Sequence, residues 1–499
     1  MNLGRAIFTV FGCLAASELA SGQASIRTHE GKGDRTVAKV HALADLDQDG
    51  VDDYALSGMT RVGGSGGGGT SAYLDAFSGA SGSLLFTIRS TAPWSGDVAD
   101  AGDVNGDGVG DLLIGDPAFD DPRQPFASEG AVRLYSGLTG ARLREIVGSA
   151  DQEALGTKVS GLADVNGDGN ADFLVEGLDL GTPFVRALSG KSGKMLYEVR
   201  DAGLFGPRRG ALDRDGDGVA DFLAAVHGLG SGLVRACSGT SGAVLLENAC
   251  AIEYGAADFD DLDGDGQAEI VGARTLPAGP LFESAVDVCS LATGATLRET
   301  PMHDFASTVP NVALDVLADE DGDGVREIVI GAAAAAFADV VAGRTGERLY
   351  RFPGADASAF GDSVAALDDV NGDGFADLMV CDPAALDGNG NVAGAAFLFG
   401  GNDLWLDAAP KVASFGDLVT VTARGAKAGT ITAIVLVDFA GAATFEVVAL
   451  GPADGSEALT FADTVPPGLV GLDATFRAYS HGRIRRRLIE SADETVALR

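Results

Sequence analysis

Carboxylates at alternate positions of a tight, glycine-bearing turn can enclose a hard cation, and this 499-residue chain repeats such a turn seven times. The pattern D-x-[DN]-x-[DN]-G-x-x-[DE] starts at Asp45, Asp103, Asp164, Asp213, Asp261, Asp319 and Asp369. The first loop offers Asp45, Asp47, Asp49 and Asp53 with the carbonyl of Val51, and the second Asp103, Asn105, Asp107 and Asp111 with that of Val109. The third offers Asp164, Asn166, Asp168 and Asp172 with the Asn170 carbonyl, and the fourth Asp213, Asp215, Asp217 and Asp221 with that of Val219. Asp261, Asp263, Asp265, Glu269 and the Gln267 carbonyl make the fifth set; Asp319, Asp321, Asp323, Glu327 and the Val325 carbonyl make the sixth. The seventh consists of Asp369, Asn371, Asp373, Asp377 and the Phe375 carbonyl.

Calcium takes about six to eight oxygen ligands at about 2.3–2.6 Å, which suits such a cage. Magnesium holds more of its water, and transition metals favour the nitrogen and sulfur ligands these loops lack. The expected cofactor is therefore calcium, up to seven ions, one for each loop. An EF-hand would need a bidentate Glu at position 12. Here that position holds Leu56, Ile114, Val175, Ala224, Gly272, Ile330 and Val380, so the ligand set closes at position 9. One such turn alone is equally well explained as a solvated Asx turn; seven in register favour a metal.

The elements around the loops read as strands. "DLLIGDP", "DFLVEG" and "EIVIGA" leave the loops as apolar runs, and no long stretch has a 3.6-residue apolar period. A short turn recurs as "SGASG" at Ser78, "SGLTG" at Ser136, "SGKSG" at Ser189, "SGTSG" at Ser238, "SLATG" at Ser290 and "AGRTG" at Ala342. Each repeat is thus strand A, metal loop, strand B, variable loop, strand C, tight turn, strand D, which fits one four-stranded propeller blade. The expected fold is all-β: a seven-bladed β-propeller over residues 25–402, then a small C-terminal β-sandwich over 403–499, where alternating apolar runs are split by Gly and Pro. The segment Ala24–His29 is expected to supply strand D of the last blade; Leu404–Leu406 is the competitor.

These residues resemble the FG-GAP repeats of the integrin α-chain head, a seven-bladed propeller whose calcium loops join strands A and B on one face. An aromatic-Gly-like step stands at Leu155-Gly156, Phe205-Gly206, Tyr254-Gly255 and Phe360-Gly361, and a Gly-Ala-Pro-like step at Gly115 and Cys381. The resemblance covers about residues 25–402, and the calcium loops are its most specific part. It departs in two ways: integrin α-chains carry such loops in only some blades, and blades 1 and 6 here lack the aromatic-Gly step. The resemblance implies the fold and the ring closure, not an integrin-like ligand.

Residues 1–24 read as a secretory signal, with Arg5 before an apolar stretch and cleavage expected between Gly22 and Ser25. Cys13 follows "VFG", a poor lipoprotein box. Secretion to the periplasm or cell exterior makes disulfides among Cys237, Cys250, Cys289 and Cys381 an option. Cys237 and Cys289 occupy matching strand-C positions, which leaves their pairing open. The net charge of -37 argues against nucleic acid or anionic membrane as partners, and 25 of the carboxylates sit at loop positions 1, 3, 5 and 9. Arg483, Arg485, Arg486 and Arg487 form the one basic cluster, read as a guarded edge strand.

No catalytic constellation stands out. His29, His41, His227, His303 and His481 lack metal-ligand spacing, "GGSGGGG" at Gly63 lacks the Lys-Ser/Thr of a phosphate loop, and Val185 replaces the first Gly such a loop would need before "SGKSGK". Ligand binding is expected on the face opposite the metal loops, where Asp116, Asp120, Asp121, Asp382 and His227 would lie. The expectation is a monomeric binding or adhesion module for a surface glycan or protein, not an enzyme. The alternative is a hydrolase or lyase acting on polysaccharide, which a carboxylate pair over the central channel would favour.

Overall fold

The computed structural model describes residues 25–499 apart from short segments, including 62–69, 91–95, 205–211, 227–231, 308–311, 321–322, 372–374, 401–404, 482–487 and further segments of the C-terminal region. The signal segment with Cys13, the "GGSGGGG" run, Phe205-Gly206, His227, Leu404, Arg483 to Arg487, Asp321 and Asp373 lie outside the described residues.

The tight turns and β-rich runs produce seven four-stranded antiparallel sheets, each ordered A-B-C-D. Blade 2 shows the pattern with Val98–Gly102, Asp111–Asp116, Ala131–Tyr135 and Arg142–Val147. The inner strands of the other blades are Arg35–Ala42, Val159–Leu162, Gly203–Leu204, Tyr254–Asp258, Val312–Leu317 and Ser363–Leu367. Strands B and C of blade 2 are buried along their whole length, while strand D is exposed or half-buried. That gradient follows from position: middle strands are covered by neighbouring blades on both faces, and outer strands by solvent on one side.

The cores lie between blades. Leu113, Val132 and Leu134 of blade 2 pack with Val159, Phe173 and Phe184 of blade 3. Blades 5 and 6 meet through Val271, Val286, Ile328 and Ile330. The two glycine steps explain how backbones approach so closely. A Cβ on Gly115 would lie 2.0 Å from the Gly156 carbonyl oxygen, and one on Gly331 would lie 2.3 Å from that of Gly361. Gly156 and Gly361 themselves have φ of +94° and +92°, where a side chain is strained.

The ring closes as the sequence suggests: Arg27–Glu30 pairs antiparallel with Ala395–Phe399 as the outer strand of blade 7. Leu406 belongs instead to Trp405–Ala409, which pairs with Leu418–Arg424. A clasp recurs between blades, in which a strand-D side chain donates to carbonyls of the next blade's C–D turn. Arg27 reaches Gly79 at 2.5 Å and Ala80 at 2.6 Å, Tyr197 reaches Gly239 at 2.6 Å, and Asn248 reaches Leu291 at 3.0 Å. Between blades 4 and 5 the seam is also covalent, through a Cys250–Cys289 disulfide. Cys237, the strand-C match of Cys289, stays a buried free thiol, as does Cys381.

One compact unit comprises Arg27–Val370 with Asp377–Leu398; the other includes Phe399–Arg499. The latter is also all-β, with a three-stranded sheet and a six-stranded one. Among the described residues no helix is long and apolar enough to cross a membrane.

Candidate metal loops and axial channel

Strand A runs into each metal loop and strand B leaves it, so all the loops share one face. Within them the backbone is drawn around the acids. Asp103 accepts N–H bonds from Gly106, Asp107 and Gly108, and Asp107 accepts one from Val109; the same pattern recurs at Asp164 and Asp168. In three loops the acid oxygens already converge to within 4.8 Å: Asp45, Asp47 and Asp53; Asp213, Asp215 and Asp221; and Asp261, Asp263 and Asp265. These three loops carry acids at every polar position, whereas the second and third have Asn105 and Asn166, whose amides donate to Asp111 and Asp172.

Position 9 has a second job that the motif conceals. Asp53, Asp111, Asp172, Asp221, Glu269, Glu327 and Asp377 are all 3% exposed or less. Asp53 accepts N–H bonds from Leu46 inside its own loop at 2.7 Å and from Gly79 of the C–D turn at 2.8 Å. Asp111, Asp172, Asp221 and Glu327 repeat this bridge with Gly137, Gly190, Gly239 and Gly343. The ninth residue thus ties metal loop to hairpin. Burial, followed by backbone bonds that oppose it, leaves the Asp53 and Asp111 carboxyls raised to about 6; burial and neighbouring acids raise Glu269 to about 7.

The donor set fits a hard cation. All side-chain ligands are oxygens, and Glu269 keeps a buried Oε1 without a hydrogen-bond partner, an orphan that a cation at the fifth loop would satisfy. Bound there, calcium would supply charge neutralisation between the clustered acids.

Between the inner strands lies a channel of about 400 Å³, lined from Lys39, Asp97 and Lys158 along to Ala42, Asp258 and Arg326 beside the metal loops. One register position lines up in all seven blades: it pairs with the residue four beyond the position-9 acid. It holds Lys39 opposite Ser57, Asp97 opposite Gly115 and Lys158 opposite Glu176. In the remaining blades it holds Gly203, Tyr254, Ala313 and Ser363. The charged members therefore fall on consecutive blades 1, 2 and 3.

Lys158 Nζ stands 4.0 Å from Asp97 Oδ2, an atom that is buried and has no hydrogen-bond partner. Burial raises the Asp97 carboxyl, and Lys158 and Lys39 oppose that shift. Glu176 is buried beside them, accepts the Leu204 N–H at 2.6 Å, and is pushed up to about 7 by burial. His41 shares a 2.9 Å bond with Ser57 and is held neutral, its pKa lowered to about 3 by burial. Asp97 and Lys158 thus meet at the channel, with Glu176 buried outside its lining, and the pair could bind a polar ligand.

The acids expected on the face opposite the metal loops serve the scaffold instead. Asp116 is buried against Arg133 at 2.8 Å, Asp121 is bound by Arg123 at 2.7 Å, and Asp382 accepts N–H bonds from Ala359 and Ala384. Asp120 stays on the surface. The channel set escaped the sequence reading because its members differ in type. The signal available was the column six residues before the loop starts at Asp45, Asp103 and Asp164.

No protein-family model matches the chain, and no curated protein does. Solved structures do: the rhamnogalacturonan lyase YesW at 14% identity and TM-score 0.37, covering 69% of this chain and 61% of that one. A Bacillus licheniformis rhamnogalacturonan lyase matches at 15% and 0.30, covering 67% and 60%, and the exotype rhamnogalacturonan lyase YesX at 13% and 0.41, covering 97% and 76%. The chain spans about three fifths of the length of the first two. The expectation of a protein without enzymatic activity is corrected here, because the solved proteins it is similar to are lyases. At this level the likeness is one of fold and assigns this chain no reaction.

Proposed function

We propose that this chain is an exported, calcium-stabilised, FG-GAP-type propeller that binds a surface glycan or protein ligand at the mouth of its axial channel. In this reading residues 1–24 direct export, the calcium ions fasten the A–B turns, residues 403–499 form a β-sandwich, and the chain works as a monomer. The observation that carries the ligand site is the inner-strand column that is charged in three consecutive blades and uncharged in the other four. A scaffold requirement would repeat in every blade; a recognition surface need not. Most other charged side chains near the channel already have partners, such as Arg326 with Asp260 and Arg214 with Asp258.

Cleavage of a bound polysaccharide is a second reading, favoured by the Asp97 and Glu176 carboxyls beside Lys158. Both are tested by screening the calcium-loaded chain against immobilised glycans and proteins and following reducing ends in solution. Binding abolished by Asp97→Ala is expected, and new reducing ends lost in Glu176→Gln would establish cleavage. Binding that survives every channel substitution would move the ligand site elsewhere.

A further inference from the structure

We infer that Lys39 and Lys158 form a two-point site for an acidic sugar unit, whose carboxylate or sulfate meets the ammonium groups while a hydroxyl donates to Asp97 between them. The inference rests on the glycan reading above and adds the chemical class of the ligand.

Lysine is scarce in this chain. Only seven of its 35 basic residues are lysines, five of them before the C-terminal region: Lys32, Lys39, Lys158, Lys191 and Lys194. Two of those five occupy the same register position on blades 1 and 3, facing one channel from either side of Asp97. The arginines are used differently. Arg133, Arg186, Arg235 and Arg274 are spent on carboxylates within their own blades. Lys39 is exposed and donates no hydrogen bond among the described residues, and Lys158 reaches Asp97 only at 4.0 Å. These two ammonium groups therefore remain available in a chain of net charge -37, where free cations are few.

Asp97 selects what lies between them. Its Oδ2 is buried without a hydrogen-bond partner, and such an acceptor favours a ligand that brings an O–H or N–H. A simple anion would meet repulsion there. A sugar carrying both hydroxyls and an acidic group offers the donor to Asp97 and the negative charge to the lysines. Lysine suits this role as a compact, rotatable point charge, where arginine would impose a planar fork. The cavity, about 400 Å³, lies within the range of about 300–1,000 Å³ usual for small-ligand sites.

The test uses the calcium-loaded full chain and four probes: a glucuronate-bearing oligosaccharide, its methyl ester, a sulfated oligosaccharide and the neutral parent, titrated by calorimetry. At least one acidic probe is expected to bind, with the ester and the neutral parent at least tenfold weaker. Lys39→Ala and Lys158→Ala should each weaken the acidic probe at least fivefold, with the melting temperature unchanged. Lys194→Ala, which removes the same charge at the C–D turn of blade 3, should leave affinity as it is. Equal affinity for neutral and acidic probes, with both lysine variants like the parent, overturns the inference while the glycan reading stands. Lysine variants that lower the melting temperature but not the affinity also overturn it, since the lysines would then only neutralise Asp97. Failure of all four probes to bind removes the inference and the glycan reading together.

Discussion

Where the inner strands run out into the metal loops, every blade places an acid at the ninth loop position and buries it to 3% exposure or less. Further back along the same strands, the position opposite the fourth residue beyond that acid is Lys39, Asp97 and Lys158 in three blades but Ala313 and Ser363 in two others. The two positions share one backbone and one register, so geometry does not separate them. Repetition does. A residue that every blade needs answers to the fold; a residue that only one arc of the ring carries is, in the reading proposed above, there for a ligand.

The sharpest way to break this contrast is to remove calcium. Excess chelator is expected to lower the melting temperature by about 10 °C or more, since several sites each add a binding term that vanishes with the ion. Scanning calorimetry checks this, and an unchanged curve would reduce the loops to Asx turns. Within the same experiment Asp47→Ala should be nearly neutral once calcium is gone. Asp53→Ala should still cost about 2–3 kcal/mol, because the N–H groups of Leu46 and Gly79 lose their acceptor. Equal behaviour of the two variants would deny position 9 its separate structural role.

Gly115→Ala probes the seam between blades. Its Cβ would sit 2.0 Å from the Gly156 carbonyl oxygen, so a loss of about 3 kcal/mol is expected in denaturant unfolding. Gly181→Ala, at φ +84° with open space around it, should lose only about 1 kcal/mol. An effect of similar size, but one that depends on pH, belongs to the buried Glu176 carboxyl. Glu176 is raised from 4.5 to about 7, so the folded chain holds the proton more tightly and stability falls as pH rises through that window. Glu176→Gln should therefore gain about 1–3 kcal/mol at pH 8 and nothing at pH 4. A gain at both would trace to packing instead.

What could be read from the sequence was what recurs. The loops, the blade pattern and the closing strand at Arg27–Glu30 follow from spacing and turn chemistry, which are local. Burial is not local, and the misreadings follow from that. Asp116 looked like a free loop acid because its partner Arg133 lies 17 residues away on strand C. The partner of Cys289 went unassigned because Cys250 follows the outer strand of the preceding blade, a neighbour in space with no marker in the repeat. The channel column was hidden because three unlike residues occupy it, and a motif search rewards likeness.

The seventh blade has a consequence for how the chain comes into being. Its outer strand, Arg27–Glu30, is made before its partner, Ala395–Phe399, which follows about 370 residues later. Until then the first blade has no neighbour on one side, and Val37, Tyr54 and Leu56 cannot yet pack on Met379 and Leu398. Such distant pairing is slow to form. A truncated chain ending before Ala395 would therefore remain an open arc.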